Sequence, residues 1–259
     1  MTPFDAAEYG ATGIAEEYDD LYAGEWDTDG AVDALAAIAD GGPILELGIG
    51  TGRLAVPLVA RGIEVHGIDG SPDMVAQLVA KPGGADIPVT IGDFAVARTG
   101  VQYSMVVLAV NTIFALPDQQ AQVDCFRNAA DHLRPGGAFV VEAWIPDVAA
   151  FHRGRLVRQR ILRPDVLSIE AARLEPAAQM MRTTQAVLRD GSVRLYHANH
   201  RYAWPSELDL MARLARLELE HQWADWTGTP FDDDSTSRIA TYRKRSTEDG
   251  VRAQATAAS

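Results

Sequence analysis

The chain has 259 residues, 47% of them hydrophobic and 23% charged, with a formal net charge of -13 at pH 7. Such a composition belongs to a globular protein, and its acidity, with no basic stripe carrying interleaved aromatics, excludes nucleic acid as a partner. One cysteine excludes a disulfide framework, and an N-terminus reading "MTPFDAAEYG", without a basic or apolar signal region or any run long enough to span a bilayer, places the expected chain in the cytoplasm, away from membranes.

From residue 43 strand and helix patterns alternate. "PILELG" (43–48) reads as a strand leading to a helix at about 52–61, in which Pro57 near the end of the first turn is an anomaly expected to bend it. "IEVHGID" (63–69) leads to a helix capped by Ser71, with Pro72 in its first turn. "IPVTIGD" (87–93) and "YSMVVLAVN" (103–111) follow, the unbroken run "MVVLAV" marking a central strand buried on both faces. A helix at 118–133 carries Cys125 in register with Val123, Phe126, Ala130 and Leu133, the setting of a core thiol. After "RPGG" comes the strand "AFVVEAW" (138–144). This alternation predicts an α/β fold, a doubly wound, mostly parallel sheet of seven strands.

Beyond Pro146 the pattern turns to strands over 155–203, with Asp190-Gly191 as a hairpin turn between "MMRTTQAVL" and "SVRLYHANHRYAW". A helix at 205–217 and the strands "LELEHQW" and "SRIATYRK" complete the fold, and the polar, alanine-rich tail is expected to be disordered. The expected divisions are an N-terminal cover (1–30), a cofactor-binding core (31–145), an antiparallel β insertion over the substrate (146–203), a C-terminal helix and strands (204–245) and the tail (246–259).

The turn "ELGIGTGRL" follows the first strand. Glycines there let a ligand press against backbone. A dinucleotide fingerprint needs glycine at its first, third and sixth positions; Gly48 and Gly50 fit, but Arg53 stands sixth and the third glycine falls early, at Gly52. Glu46, two residues before the turn, suits a ligand carrying an ammonium and a sulfonium better than a pyrophosphate. Asp69, ending the second strand, can accept hydrogen bonds from two ribose hydroxyls.

Four ordered motifs, "ELGIGTG", "GIDGSPDM", "GDF" and "LRPGG", resemble those of the class I S-adenosylmethionine-dependent methyltransferases over about residues 40–145. The resemblance implies S-adenosylmethionine as cofactor, with Gly48, Gly50 and Gly52 beneath its methionine part and ribose, and Asp69 and Gly70 at the ribose hydroxyls. Met74 is implied to pack on the adenine, Gly92, Asp93 and Phe94 to lie at its amino group and ring, and Val110 and Asn111 to border the sulfonium. "EYGATGIAEEYDDLY" is similar to the N-terminal cover of small-molecule methyltransferases, including amino-sugar enzymes of antibiotic pathways, in which such tyrosines as Tyr9, Tyr18 and Tyr22 close over the cofactor. The expected activity is methyl transfer to O or N of a small molecule, a natural-product intermediate, by a monomer or homodimer.

Other residues keep two readings. Arg53 reaches the cofactor carboxylate or ties down the N-terminal helix. Glu142, in an apolar strand near the ligand edge, needs a partner, either a substrate amine or an arginine of the insertion. Glu142, His197 and His200 are the candidate general bases; "RLYHANHRY" lacks the spacing of a metal site, and none is expected. "HRGRLVRQRILR" (152–163) reads as an exposed basic strand face, with an anionic substrate as the alternative. "NTIFALP" lacks the histidine that amino-sugar enzymes carry after the fourth strand, and the Asn/Asp-Pro-Pro-aromatic string of enzymes that methylate planar amide or base nitrogens. A non-catalytic S-adenosylmethionine-binding protein and a nicotinamide-dependent oxidoreductase stand as the competing readings.

Overall fold

The computed structural model describes residues 13–245; Tyr9 and the expected tail from Ser246 lie outside them. In chain order α1 (Ile14–Leu21) and α2 (Thr28–Ala39) precede β1 (Ile44–Leu47), α3 (Ala55–Ala60), β2 (Val65–Asp69), α4 (Pro72–Val79), β3 (Val89–Ile91), β4 (Tyr103–Leu108), α5 (Gln119–His132) and β5 (Leu133–Trp144). Four long strands follow, β6 (Arg155–Leu162), β7 (Val166–Glu175), β8 (Met180–Arg189) and β9 (Ser192–Arg201), before α6 (Pro205–Leu214), β10 (Leu217–Trp223) and β11 (Ser237–Lys244) return to the first sheet. No helix of the described residues is long and apolar enough to cross a membrane.

The main sheet has the order β10-β11-β5-β4-β1-β2-β3, parallel from β5 to β3 and antiparallel at β11 and β10. Every residue of β1 and β4 is buried, because apolar layers cover both faces: one includes Phe126, Phe139 and Leu208, the other Leu35, Leu58 and Val107. Cys125 lies in the first of these layers, and burial raises its thiol pKa strongly, keeping it protonated. Ser71 caps α4 as its sequence predicts, its Oγ accepting from Met74 N at 3.3 Å.

Several boundaries differ from expectation, and two of them have a clear local cause. The glycine turn consumes residues 48–54, so α3 starts only at Ala55 and Pro57 falls in its first turn, where a missing N–H leaves no intrahelical bond unmade. Strand β5 begins at Leu133, five residues early, because an irregularity between the pairs Tyr103–Leu133 and Met105–Ala138 accommodates "RPGG" within the strand.

The second sheet, β6-β7-β8-β9, is wholly antiparallel. Asp190 and Gly191, at φ 50° and 75°, make its two-residue hairpin. A buried polar network joins it to the core: Arg201 donates to Gln122 Oε1 and Glu207 Oε1, both at 2.6 Å, while Gln179 Nε2 reaches Glu207 Oε2 at 2.9 Å.

Candidate functional site

Strand β1 lies between β2 and β4, so connections leave it in opposite directions and a crevice opens at the C-terminal strand ends. The glycine turn occupies that crevice. Gly48 and Gly50 adopt φ of 69° and 55°, which a side chain rarely takes, and Gly50 N donates to Asp69 Oδ2 at 2.7 Å. Asp69 Oδ1 accepts from Ser71 N at 2.7 Å. Each carboxylate oxygen retains lone-pair capacity toward the crevice, and burial raises the Asp69 pKa against the lowering effect of those two amides.

Glu46 is 5% exposed, and its Oε2 has no hydrogen-bond partner among the described residues. Burial pushes its pKa to about 8; Arg53 pulls it down and Asp69 pushes it further up. A buried acceptor without a donor beside a glycine turn fits a ligand ammonium. Arg53 itself is held by the N-terminal segment, donating to Thr28 Oγ1 at 3.1 Å with its guanidinium 5.2 Å from the Trp26 ring centre.

At the end of β4, Val110 and Asn111 take left-handed φ values of 48° and 62°. Val110 N donates to Glu142 Oε2 at 2.9 Å, and Trp226 Nε1 to Glu142 Oε1 at 3.0 Å. The partners of Glu142 are thus a backbone amide and an indole, instead of the arginine or substrate amine expected from sequence.

One cavity of about 960 Å³ connects these elements to the inner face of the second sheet. Its walls include Glu46, Gly48, Gly50, Arg53, Asp69 and Gly70, and also Met74, Gly92, Asp93, Phe94, Val110, Asn111 and Glu142. Tyr18, Tyr22, Glu170, Thr183, Gln185 and His200 line it from above. Gly52 lies outside the wall; its φ of 79° shapes the turn, and Leu78 fills the space a side chain would need.

Helix α1 closes one side. Its acidic residues bind arginines of the second sheet: Glu17 pairs with Arg194 at 2.7 Å, Asp20 with Arg189 and Arg163, and nearby Glu25 with Arg160 at 2.6 Å. Asp19 bonds the glycine turn, accepting from Thr51 Oγ1 at 2.6 Å, and pairs with Lys81 at 2.5 Å. The basic stretch 152–163 is largely exposed, as its alternation predicts, and three of its arginines are paired: Arg158 with Glu170 at 2.8 Å, Arg160 with Glu25 at 2.6 Å and Arg163 with Asp20 at 3.6 Å. Tyr18, Tyr22 and Trp26 form one aromatic cluster, with ring centres 4.9–6.1 Å apart.

His200 projects from β9 into the cavity and makes no side-chain hydrogen bond among the described residues. Burial lowers its pKa, so the imidazole is neutral at pH 7. His197 is exposed and bonds Thr184 Oγ1 through Nδ1 at 3.0 Å. Sequence reasoning missed Glu170, Gln185 and Thr183; the two-residue period of "SIEAARLE" and "MMRTTQAVL" carries that signal, since inward-facing residues alternate along each strand. Trp226 lies in an irregular loop with no periodic signal.

Residues 44–137 match the methyltransferase domain family. The chain is similar to the cypemycin N-terminal methyltransferase of Streptomyces sp, 26% identical over 210 residues that make up 80% of this chain and 84% of that protein. Its structure matches the CcbJ methyltransferase from Streptomyces caelestis with a TM-score of 0.84 and 37% identity, covering 93% of this chain and 100% of the other. S-adenosylmethionine-bound CalS10 from Micromonospora echinaspora, an amino pentose methyltransferase involved in calicheamicin biosynthesis, matches in fold with a TM-score of 0.67 and 20% identity, covering 87% and 96% of the two chains. With 37% identity over the full length of one such enzyme, and with the glycine turn facing an acidic residue at the end of β2, this chain belongs to the S-adenosylmethionine-dependent methyltransferases.

Proposed function

We propose that the protein methylates a nitrogen or oxygen atom of a small natural-product molecule held between the glycine turn and the second sheet. The observation that carries this reading is a cavity of about 960 Å³, near the upper end of the roughly 300–1,000 Å³ that small-molecule sites occupy. It has room for a cofactor on the turn and an acceptor beneath β7–β9. The names of the cypemycin and amino pentose enzymes, both describing amine-bearing substrates, favour nitrogen. A net charge of -13 argues against nucleic acid.

In this reading Glu46 meets the cofactor's ammonium, Asp69 and Gly70 its ribose, Met74, Gly92, Asp93 and Phe94 its adenine, while Tyr18 and Tyr22 cover it. The bound cofactor supplies an activated methyl on a sulfonium, so the chain's main contribution is to align the acceptor and exclude water. All three candidate bases line the cavity, and His200 keeps the role because it is neutral and has an unused nitrogen lone pair. Glu142 has both oxygens engaged, and His197 is exposed and bonded to Thr184.

The test is a mass-spectrometric screen of amine, phenol and alcohol acceptors with S-adenosylmethionine, followed by His200→Ala. One added methyl on a small amine or hydroxyl, with turnover falling at least tenfold in the variant, supports the proposal. Methylation of protein or nucleic acid alone overturns it.

A further inference from the structure

Val110 is β-branched and sits at φ 48°, followed by Asn111 at φ 62°. A β-branched residue in the left-handed region is a genuine outlier, maintained only where its surroundings over-determine it. Here they do. Val110 N donates to Glu142 Oε2 at 2.9 Å, Asn111 N to the Glu142 carbonyl at 3.0 Å, and Trp144 N to Asn111 Oδ1 at 2.6 Å. Trp226, from the loop between β10 and β11, fills the other carboxylate oxygen of Glu142 at 3.0 Å without lining the cavity.

The turn so held is part of the cofactor crevice. A Cβ on Gly48 would lie 2.5 Å from Thr112 Cγ2, so the glycine turn and the turn after β4 touch. A ligand on the first lies against the second, and its reacting end must face the acceptor space under the second sheet. Val110 stands at that junction, and its carbonyl oxygen accepts no hydrogen bond among the described residues.

We infer that Trp226 and Glu142 are positioning residues: they lock Val110 in the left-handed conformation, which presents its unpaired carbonyl dipole to the sulfonium. This inference rests on the reading of the glycine turn as the cofactor site. A carbonyl dipole in a site shielded from water favours a cation over a neutral ligand. The clamp therefore favours S-adenosylmethionine, which carries the sulfonium charge, over S-adenosylhomocysteine, which does not.

The discriminating experiment is calorimetric titration of the full chain with each compound, in wild type, Trp226→Phe and Glu142→Gln. Trp226→Phe keeps an aromatic ring against the apolar layer that Trp226 adjoins, so a folded variant is expected, with its melting temperature as the check. S-adenosylmethionine affinity should fall about tenfold while that for S-adenosylhomocysteine stays within about twofold. Val110→Gly, introduced into Glu142→Gln, should recover part of the preference, because glycine enters the left-handed region unaided. Equal weakening of both ligands, or an unchanged ratio in both variants, overturns the inference and leaves the cofactor site standing. Failure of wild type to bind either ligand overturns the cofactor reading itself.

Discussion

Glu46→Gln separates the energetics of the fold from those of the ligand. Burial holds the Glu46 carboxyl at a pKa of about 8, against 4.5 for an unperturbed group. Between those pH values the unfolded chain releases a proton that the folded chain keeps, so native stability falls as pH rises through that window, by up to roughly 5 kcal/mol at its upper end. Glutamine has no such dependence, and the variant's stability relative to wild type should therefore increase steadily from pH 5 to pH 8. At pH 7 roughly nine in ten wild-type molecules hold the proton. A ligand ammonium beside Oε2 favours the ionised form, so S-adenosylhomocysteine binding should release close to one proton from wild type and none from Glu46→Gln. Denaturant melts across pH and calorimetry in buffers of different ionisation enthalpy read the two effects. A flat stability difference across the window, or binding without proton release, would refute both the raised pKa and the ammonium contact.

Gly52→Ala combines a φ of 79° with a side chain directed at Leu78, and should lower stability by about 1–3 kcal/mol, read as a drop in melting temperature. Asp19→Ala removes the bonds from α1 to Thr51 and Lys81 and should raise the dissociation rate of S-adenosylhomocysteine several-fold in stopped-flow measurements, with little change in melting temperature. The arginine pairs that bind α1 and the following Glu25 to the second sheet are partly exposed, so raising salt from about 0.05 M to 1 M should screen them and increase proteolysis near residues 20–27. Unchanged cleavage would mean that apolar contacts among Ile14, Leu21, Val166, Val187 and Tyr196 hold the cover by themselves.

The parallel sheet was legible because burial on both faces writes itself as unbroken apolar runs, and β4 is the clearest case. The glycine turn was legible because backbone geometry restricts residue choice there. The hairpin at Asp190-Gly191 followed from turn chemistry. Partners across long sequence separations were not legible. Nothing local in "EAW" links Glu142 to an indole 84 residues away, and nothing local in the exposed basic run 152–163 announces that Arg160 and Arg163 pair with Glu25 and Asp20. The early start of β5 depended on an irregular register with β4, a property of two strands together.

The most direct test of the central claim, that the glycine turn and Asp69 hold S-adenosylmethionine, is calorimetric titration of the protein with S-adenosylhomocysteine, comparing wild type with Asp69→Asn. Micromolar binding by wild type, weakened at least tenfold in the variant as a carboxylate-to-ribose hydrogen bond is lost, is the expected result. Equal binding by both proteins would contradict the assignment of Asp69, and absence of binding by folded wild type would contradict the cofactor site altogether.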